Sequence, residues 1–394
     1  MAKLTIRDLD LKDKKILMRV DFNVPLDDKL NITDDIRIRA TLPTIKYALE
    51  NKAKKVILMS HLGRPDGKVV ESLRLDPVAK RLEELLGEKV KKLNDCMGEE
   101  IKKEIEESKE RIILLENLRF HPEEEKNDPN FAKKLAELGD LFVNDAFGTC
   151  HRAHASTEGI THYLKSAAGF LLEKEIKYLG ETLENPQRPF VVILGGAKVS
   201  DKIGVIENLL PKADAILIGG AMAYTFLKAK DIGIGNSKYE KDKLELAKNI
   251  LEKAESLKKK FILPLDHLVA EKIEPTAKTR YTKDNSIPDG WLGVDIGKKA
   301  IKEFKKILKT ARTIVWNGPL GIFEIEPFSR GTKAIALYIA KLPAVTIVGG
   351  GDTASAVAKF KVDKKMTHVS TGGGASLEYM EGKALPGIKS LTDK

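Results

Sequence analysis

The sequence predicts an α/β protein built from two doubly wound parallel-sheet domains that are joined by a helix and a hinge. Three observations lead to this prediction. Short runs of β-branched and large apolar residues alternate along the chain with longer segments of helical spacing, which is typical of parallel sheets with helical crossovers. The chain has 394 residues, which is long for one hydrophobic core. The apolar runs end in polar or basic residues in the first half and in glycine in the second half.

Composition limits the class of protein. Apolar residues make up 42% and charged residues 32%, which is typical of a folded globular chain. The net charge of +10 suits a nucleic acid, an acidic surface or a small anionic substrate, and only the clustering of the basic residues can decide among these. We expect a cytoplasmic protein, because residues 1–8 lack the apolar core of a signal peptide and no apolar run is long enough to span a bilayer.

Cysteine and glutamine usage adds two expectations. Cys96 and Cys150 are too few for a disulfide framework and lack the spacing of a zinc site, so we interpret both as free thiols. Gln187 is the single glutamine of a chain rich in lysine and glutamate, which points to a heat-adapted source.

The first half contains four β-rich runs, at residues 15–20, 56–59, 112–115 and 141–143. Helical spacing separates them at residues 33–49, 77–86 and 131–138. Ligands of such sheets bind beyond the carboxyl ends of the strands, so the polar residues there are expected to converge. Guanidinium groups bind phosphates and carboxylates through paired hydrogen bonds, which makes this edge a candidate anion site. The converging residues are Asp21, Asn23, His61, Arg64, Arg119 and Arg152, with Arg37 from a nearby helix start.

A helix is predicted over residues 170–183, where Leu172, Ile176, Leu179 and Leu183 share one face. The Asn185-Pro186 pair ends it, because proline disfavours helical backbone at the residue before it. We expect this helix to connect the two domains, although the same stripe would also suit an ordinary core helix.

The second half has β-rich runs at residues 191–194, 215–218, 313–316, 345–348 and 368–370, and glycines follow each of them. Backbone without side chains lets a polyphosphate or a flat base approach closely. Asp352, after Gly349-Gly350-Gly351, suits either a helix cap or a ligand of magnesium. Lys198 and Lys202 suit either a solvated helix face or a phosphate site, and their position after Gly195-Gly196 favours phosphate.

Eight motifs, in order along nearly the whole chain, resemble those of the phosphoglycerate kinase family. The resemblance implies a glycolytic, usually monomeric enzyme with two Rossmann-like domains. It also implies the reversible transfer of the acyl phosphate of 1,3-bisphosphoglycerate to ADP, with Mg²⁺, giving 3-phosphoglycerate and ATP. The motifs are Arg19–Val20–Asp21–Phe22–Asn23–Val24–Pro25, Ser60–His61–Leu62–Gly63–Arg64–Pro65, Glu116–Asn117–Leu118–Arg119–Phe120, Gly148–Thr149–Cys150–His151–Arg152–Ala153–His154, Gly195–Gly196–Ala197–Lys198–Val199–Ser200–Asp201–Lys202, Trp316–Asn317–Gly318–Pro319, Gly349–Gly350–Gly351–Asp352–Thr353 and Ser370–Thr371–Gly372–Gly373–Gly374–Ala375–Ser376.

The resemblance assigns site residues by motif. It implies that Arg37 and Lys198 act in catalysis with the backbone near Gly373, that Asp352 holds Mg²⁺ and that Glu324 binds the ribose. The implied phosphoglycerate site comprises Asp21, Asn23, Arg37, His61, Leu62, Gly63, Arg64, Arg119 and Arg152. The implied nucleotide site comprises Gly196, Lys198, Lys202, Gly219, Gly220, Gly293, Asn317, Pro319, Glu324, Gly350, Gly351, Asp352 and Thr353.

One departure from the family is visible, since Ala221 stands where the family commonly has a third glycine, and we expect little effect on activity. The expected domains are residues 1–168 for the phosphoglycerate and 186–382 for the nucleotide, with a hinge at 169–185. Residues 383–394 are expected to return to the first domain.

Two other classes of protein share parts of this pattern. A nicotinamide-dependent dehydrogenase requires G-x-G-x-x-G after its first strand and an acid about twenty residues later, an arrangement that the chain lacks. A nucleic-acid-binding protein would account for the basic charge, but aromatic residues are only 6% of the chain. We therefore expect small-molecule partners, no nucleic acid and no membrane.

Overall fold

The computed structural model describes residues 2–394, which form two compact units. The first consists of residues 2–177 and 384–394, and the second of residues 178–383. Each unit is built on a six-stranded, fully parallel sheet, as the alternating sequence pattern predicts.

The first unit has strands β1 (Lys15–Val20), β2 (Lys55–Met59), β3 (Val90–Lys92), β4 (Ile112–Leu114), β5 (Leu141–Asp145) and β6 (Ser166–Ala168). Its α-helices are α1 (Ile36–Glu50), α2 (Asp76–Leu86), α3 (Glu99–Glu107), α4 (Pro122–Glu125), α5 (Pro129–Ala136), α6 (Phe170–Glu175) and, from the end of the chain, α15 (Pro386–Lys389). Short 3₁₀ turns lie at Ile6–Asp8, Glu71–Leu73, Leu118–Phe120, Phe147–Thr149 and Gly159–His162. The strand order is β3-β4-β2-β1-β5-β6.

The centre of this sheet is its hydrophobic core. Strands β2 and β4 are buried along their whole length, and in β1 only Lys15 is partly exposed. Ile16, Met18 and Val20 of β1 belong to one buried cluster with Ile38 and Ile45 of α1. Each such side chain contributes roughly 1.5–3 kcal/mol through burial, so the central strands are the firmest support in the unit for the loops that follow them.

The second unit has a six-stranded sheet and a smaller one. The strands are β7 (Phe190–Leu194), β8 (Ala215–Ile218), β9 (Lys260–Ile262), β10 (His267–Ala270), β11 (Thr279–Tyr281), β12 (Leu292–Ile296), β13 (Thr313–Asn317), β14 (Val345–Gly349) and β15 (His368–Val369). The parallel sheet has the order β15-β14-β13-β7-β8-β9, and β11-β10-β12 form an antiparallel sheet.

The helices of the second unit are α7 (Thr182–Glu184), α8 (Ile203–Leu209), α9 (Met222–Ala229), α10 (Leu244–Ser256), α11 (Lys298–Leu308), α12 (Arg330–Ile339), α13 (Gly351–Lys359) and α14 (Gly374–Met380). Short 3₁₀ turns lie at Ser200–Lys202, Lys241–Lys243, Glu326–Phe328 and Asp363–Lys365. Trp316 of β13 is fully buried in the core beneath the parallel sheet, with Phe304 of α11 and Ile335 of α12.

The single α-helix predicted over residues 170–183 differs in the structure. Between α6 and α7 the backbone forms a π-helix at Ile176–Glu181. Gly180 lies in this wider turn, where a Cβ atom would come within 2.5 Å of the Tyr379 hydroxyl oxygen. Periodicity alone does not distinguish a π turn from an α turn of the same residues, and such turns are frequent at functional positions.

The last residues of the chain pack against the beginning of it. The Leu4 N–H donates to the Thr392 carbonyl at 2.9 Å, and Lys3 Nζ lies 2.8 Å from Asp393 Oδ1. The Gly387 N–H donates to the Cys150 carbonyl at 2.9 Å. No helix formed by residues 2–394 is both long and apolar enough to cross a membrane.

Candidate active site

In the first unit, the loops after β1 and β2 are tied to each other. Arg37, in the first turn of α1, places Nη1 2.8 Å from Asp21 Oδ2, just beyond the end of β1. Asn23 Oδ1 accepts a hydrogen bond from the Gly63 N–H at 2.9 Å. Three of the residues predicted to converge, Asp21, Asn23 and Arg37, therefore lie at the carboxyl edge of the sheet, and the Arg37 guanidinium is one-third exposed.

Arg119 reaches the same edge from the 3₁₀ turn after β4. Its Nη1 donates to the Gly63 carbonyl at 3.0 Å. Its Nε lies 3.3 Å from Glu125 Oε1 and forms an ion pair with that carboxylate. The geometry of this pair is not that of a hydrogen bond, so the buried Nε–H has no hydrogen-bond partner among residues 2–394. Burial lowers the pKa of the guanidinium, the charge of Glu125 opposes that effect, and an arginine stays protonated either way. A buried N–H donor on a cation that lacks a hydrogen-bond acceptor favours an anionic ligand.

His61 is fixed as a neutral hydrogen-bond donor. Arg19 Nη2 lies 3.1 Å from His61 Nδ1, and a guanidinium can only donate, so Nδ1 is the acceptor and the ring proton is on Nε2. Burial, followed by the charges of Arg19, Arg119 and Arg37, holds the pKa of His61 well below its usual value of 6.5. The imidazole therefore stays neutral at physiological pH and presents an N–H through Nε2.

Arg19 itself is fully buried within β1 and was not among the predicted site residues. Its Nε donates to Ser156 Oγ at 2.8 Å, and its Nη1 donates to the Val20 carbonyl. Ser156 Oγ donates in turn to Glu124 Oε1 at 2.6 Å, and the Ser156 N–H donates to Glu124 Oε2 at 3.0 Å. We call Arg19, Ser156 and Glu124 the support network. Arg19 donates to His61 Nδ1, and Ser156 and Glu124 continue the chain of hydrogen bonds behind Arg19.

The remaining predicted residues of the first unit occupy different environments. Leu62 is buried, and its carbonyl accepts a hydrogen bond from Asn117 Nδ2 at 2.8 Å. Arg152 is exposed, and its charge is one cause of the lowered pKa of Arg119, so it lies near that residue. Arg64 is exposed and follows Gly63, and no contact in the structure ties it to the other arginines among residues 2–394.

In the second unit, the loops after β7 and β13 make contact through their backbones. The Gly195 N–H donates to the Asn317 carbonyl and the Gly196 N–H to the Pro319 carbonyl, both at 3.0 Å. A Cβ atom on Gly318, whose φ is +94°, would lie 2.1 Å from the Gly195 carbonyl oxygen. Only glycine allows this approach, which explains why glycine ends these strands.

A polar cluster lies beside this contact. Lys202 Nζ donates to Asn317 Oδ1, and burial lowers the pKa of the Lys202 ammonium, an effect that the charges of Asp201 and Asp352 oppose. Asn317 Nδ2 is buried without a hydrogen-bond partner among residues 2–394 and lies 3.1 Å from the position of a Cβ on Gly350. Thr353 is buried, and its Oγ1 accepts from the Gly318 N–H at 2.6 Å.

A cavity of about 360 Å³ opens next to these loops. Tyr224, Ile322 and Leu292 give it an apolar wall, and Glu324 stands exposed at its border. Lys359 Nζ fixes the backbone there by donating to the Phe323 and Glu324 carbonyls, each at 2.9 Å. The predicted nucleotide residues that line the cavity are Gly196, Gly220, Gly293, Pro319, Glu324 and Asp352.

Gly293 and Gly219 are required by packing. A Cβ on Gly293 would lie 2.0 Å from Tyr224 Oη, and a Cβ on Gly219 would lie 2.4 Å from Leu320 Cδ2. Sequence reasoning missed Tyr224, Asn236 and Ser237 of the lining, since none of them belongs to a strand-end motif. The other predicted nucleotide residues, Lys198, Lys202, Gly219, Asn317, Gly350, Gly351 and Thr353, belong to the loops and helix starts at the ends of β7, β8, β13 and β14.

Gly373 is the N-cap residue of α14 and lies four positions after the end of β15. Its φ of +54° and ψ of −115° favour glycine, and a Cβ there would meet nothing within 4 Å. The conformation, rather than crowding, therefore accounts for glycine at this position.

Arginines at the edge of one parallel sheet, and a glycine-walled cavity of about 360 Å³ beside another, are features typical of a two-domain nucleotide-dependent phosphotransferase. Comparison with known proteins agrees. The family model described as phosphoglycerate kinase matches residues 6–383. The chain is 56% identical to the phosphoglycerate kinase of Moorella thermoacetica over 395 residues, covering 100% of both chains. It is 57% identical to that of Thermosipho africanus over 400 residues, covering 100% of this chain and 99% of the relative. The chain belongs to the phosphoglycerate kinase family.

Solved structures give the same result. The structure of phosphoglycerate kinase from Coxiella burnetii superposes with a TM-score of 0.91 at 43% identity, covering 98% of each chain. The enzyme from Pyrococcus horikoshii OT3 gives a TM-score of 0.83 at 34% identity, again over 98% of each chain. This chain is therefore an enzyme that transfers a phosphoryl group between the acyl phosphate of 1,3-bisphosphoglycerate and ADP. Neither a dehydrogenase nor a nucleic-acid-binding protein finds support in these matches.

Proposed function

We propose that the arginine-rich edge of the first sheet binds the phosphoglycerate and that the glycine-walled cavity of the second unit binds ADP or ATP. The observation that carries this assignment is the contrast between the two edges. One presents Arg37, Arg119 and the donor nitrogen of His61, and the other presents backbone and an apolar cavity of about 360 Å³. The paired N–H donors of guanidinium groups suit the phosphate and carboxylate groups of a small anion, whereas the flat base of a nucleotide requires an apolar cavity.

The reaction requires mainly that the protein position the two substrates and stabilise the charge of the transferring group. In the direction that consumes ATP, a carboxylate oxygen of 3-phosphoglycerate attacks the γ-phosphorus, and the bond from that phosphorus to the β-phosphate oxygen breaks, releasing ADP. The carboxylate is already ionised at neutral pH, so no general base is needed. What remains is alignment and the stabilisation of charge on the transferring group. We assign that role to Arg37 and Lys198, with the backbone N–H groups near Gly373.

The other side chains of the first unit hold the substrate. Arg64, Arg119 and Arg152 bind the phosphate that is not transferred, and the unmatched Nε of Arg119 supports this role. Asp21 and Asn23 place the hydroxyl and carboxylate groups of the glycerate. His61 donates from Nε2, with Leu62 and Gly63 shaping the wall.

The nucleotide is held mainly by backbone. The base occupies the cavity between Gly293, Gly220 and Pro319, and Glu324 accepts hydrogen bonds from the ribose hydroxyls. The loops that carry Gly196, Gly219 and Gly350-Gly351 let the phosphates approach, and Lys202, Asn317 and Thr353 surround them. The unpartnered, buried Asn317 Nδ2 supports this placement, since it is a donor that an oxygen ligand would satisfy.

The donors present fit a magnesium ion. Asp352 offers one exposed carboxylate at the border of the cavity, close enough to Lys202 to influence the pKa of that ammonium. Mg²⁺ is commonly held by one or two carboxylates together with substrate phosphates and water, so we assign it to Asp352. When bound there, it would neutralise charge on the nucleotide phosphates.

We further propose that the protein works as a cytoplasmic monomer, without nucleic acid, and that its two domains close during turnover about residues 169–185. Chemistry requires the two substrates to meet, and the π-helix at Ile176–Glu181 is a local irregularity suited to bending. Small-angle scattering should show compaction when 3-phosphoglycerate and a non-hydrolysable ATP analogue are both present. Unchanged dimensions would contradict the hinge.

The assignment of the two sites is tested by a crossed experiment. Arg119→Ala should weaken the binding of 3-phosphoglycerate and leave ADP binding unchanged, whereas Gly293→Ala should do the reverse, because its methyl group collides with Tyr224 Oη. Isothermal titration with each ligand separates the two effects. Equal loss of both ligands in either variant would contradict the separate sites, and absence of turnover with 3-phosphoglycerate, ATP and Mg²⁺ would overturn the activity.

A further inference from the structure

Asp95, Cys96 and His121 bring a carboxylate, a thiol and an imidazole together in the first unit. Among residues 2–394 they are the one set of three potential metal-ligating side chains whose ligand atoms all lie within 4.8 Å of one another. Asp95 and Cys96 follow β3, and His121 follows the 3₁₀ turn Leu118–Phe120. None of the three has a role in the phosphoglycerate site proposed above.

The backbone holds these residues in place from two separate segments. The Glu116 N–H donates to the Asp95 carbonyl at 3.2 Å, and the His121 N–H donates to the Leu118 carbonyl at 3.2 Å. The imidazole of His121 packs against Phe131, with ring centroids 5.4 Å apart. The donor atoms are therefore largely preorganised, which is the main requirement of a functional metal site.

Two of the three side chains are in direct contact. His121 Nε2 lies 2.6 Å from Asp95 Oδ1, and this hydrogen bond raises the pKa of the imidazole despite its burial. Burial, and then the charges of Asp95 and Glu124, raise the pKa of the Cys96 thiol well above its ordinary value. The negative charges of Asp95 and Glu124 beside the thiol would attract a divalent ion to this place.

We propose that this Asp95–Cys96–His121 cluster is a binding site for a soft divalent cation of the Zn²⁺ type. Thiolate, imidazole and carboxylate are the three ligand classes that Zn²⁺ takes, and tetrahedral bond lengths place such ligand atoms about 3.4–3.6 Å apart. The observed separations bracket that range, from 2.6 Å between His121 Nε2 and Asp95 Oδ1 to an upper limit of 4.8 Å within the cluster. Asp95 is half exposed, which gives an ion and a completing water molecule access from solvent.

Binding exchanges protons for the metal. The Cys96 S–H bond breaks and its proton goes to solvent, while the thiolate forms the bond to the cation. His121 binds through the lone pair of Nε2, so the hydrogen now directed at Asp95 is lost from that nitrogen and the neutral ring carries its proton on Nδ1.

The test is a titration of the full-length, reduced protein with Co²⁺, whose thiolate complexes absorb strongly in the near ultraviolet. We expect a charge-transfer band that saturates at one ion per chain and disappears when Zn²⁺ is added. Cys96→Ser and His121→Gln should lose it. Asp95→Asn keeps both the thiol and the fold at a half-exposed position, and it should bind at least about tenfold more weakly.

His162→Gln is the matched control. His162 Nε2 lies 2.9 Å from Glu158 Oε1, so the chain offers a second histidine–carboxylate pair, and neither cysteine belongs to it. This variant should keep the full band. No saturable band in the wild type, or a band that persists in Cys96→Ser, would overturn the proposal.

Discussion

The two units carry their proposed ligand sites at the edge of a parallel sheet, and they build them by opposite means. The first unit uses charged side chains, and it buries Arg19, Ser156 and Glu124 behind them to hold one of those side chains in a fixed state. The second unit has glycines at the corresponding positions, and the absence of side chains lets the loops after β7 and β13 come within hydrogen-bond distance of each other. A guanidinium on a flexible stem needs support from other residues, whereas a glycine loop is held by its own backbone.

This difference determines how each site can be damaged. The first unit should lose function when a side chain is removed, and the second when one is added.

Arg37→Ala should cause the largest loss, about 10³-fold or more in kcat, because an arginine that neutralises a transferring phosphoryl group contributes on that scale. Substrate binding should weaken much less, since Arg64, Arg119 and Arg152 remain. Steady-state kinetics in both directions measure kcat and KM separately.

Arg39→Ala controls for loss of an arginine from the same helix. Arg39 pairs with Asp35 at 2.8 Å, as Arg37 pairs with Asp21, but it is more exposed and stands one half-turn further along α1. Its removal should leave kcat nearly unchanged. If Arg37→Ala retained wild-type kcat, Arg37 would have no catalytic role.

Gly351→Ala tests the second unit by adding one methyl group. A Cβ at this position meets no protein atom within 4 Å, and the residue lies in α13, so the fold should be as stable as before or slightly more stable. If nucleotide phosphates approach this backbone, the KM for ATP should rise about tenfold, equivalent to about 1.4 kcal/mol. The KM for 3-phosphoglycerate serves as the internal control. An unchanged KM for both substrates would show that no ligand touches Gly351.

How far the sequence predicts this structure differs between its elements. The central strands of both sheets were predicted because they are continuous apolar runs, and the glycines after them were recognised because few other roles require that pattern. Strand β3 was missed because two of its three residues are lysines, and β9 because Lys260–Ile262 follows a run of lysines. The antiparallel sheet of β10, β11 and β12 was missed as well, since its short strands carry no clear alternation.

The candidate sites show the same limit. Asp21 could be placed at this edge because parallel strands end there, and Arg37 because its helix was expected to begin nearby. Arg19 could not be recognised, since an arginine within an apolar strand gives no sign in the sequence of whether it is buried and paired. The lining residue Tyr224 depends on the packing of α9 against Gly293, which is a tertiary contact. Sequence patterns predict which residues follow the ends of the strands. The buried residues that contact those residues, such as Arg19 and Tyr224, are defined only by the folded structure.

His61→Gln should change turnover by only a few fold, and it tests the tautomer fixed by Arg19. A glutamine side chain can accept from Arg19 Nη2 through Oε1 and donate through Nε2, as the neutral imidazole does. His61→Leu has similar bulk and neither group, so it should bind 3-phosphoglycerate at least about tenfold more weakly, because Arg19 is left with an unmatched buried donor. Nitrogen-15 spectra of the wild type should show a neutral ring with its proton on Nε2 at pH 6.5, because burial and the neighbouring arginines hold the pKa of His61 well below that value. A His61 that titrates near pH 6.5 would contradict this assignment.

Asp145→Asn should affect turnover least and stability most visibly. Asp145 is fully buried at the end of β5, where Oδ1 accepts from the Leu171 and Leu172 N–H groups at 2.9 and 3.2 Å, and burial raises its pKa to about 7. Between the unfolded value of 3.8 and about 7, the folded state keeps a proton that the unfolded state has released. The wild type therefore loses stability as pH rises through this window, by about 1.4 kcal/mol per unit and about 4 kcal/mol in total.

Asparagine at position 145 keeps the Oδ1 acceptor and cannot ionise, so the variant should gain stability relative to the wild type from pH 4 to pH 7 and keep a constant advantage above that. Asp295, in the second unit, also has a pKa raised to about 7 by burial, but its two oxygens accept from different N–H groups, those of Ile296 and Gly331. The stability of Asp295→Asn should therefore depend on pH in the same way, but it should be lower by a constant amount at every pH. The amide nitrogen of asparagine cannot accept the second of these two hydrogen bonds. Urea unfolding, followed separately in each unit at pH 5, 6, 7 and 8, measures the free energy of unfolding of the two variants and of the wild type. Curves parallel to the wild type would show that these aspartates ionise at ordinary pH in the folded protein.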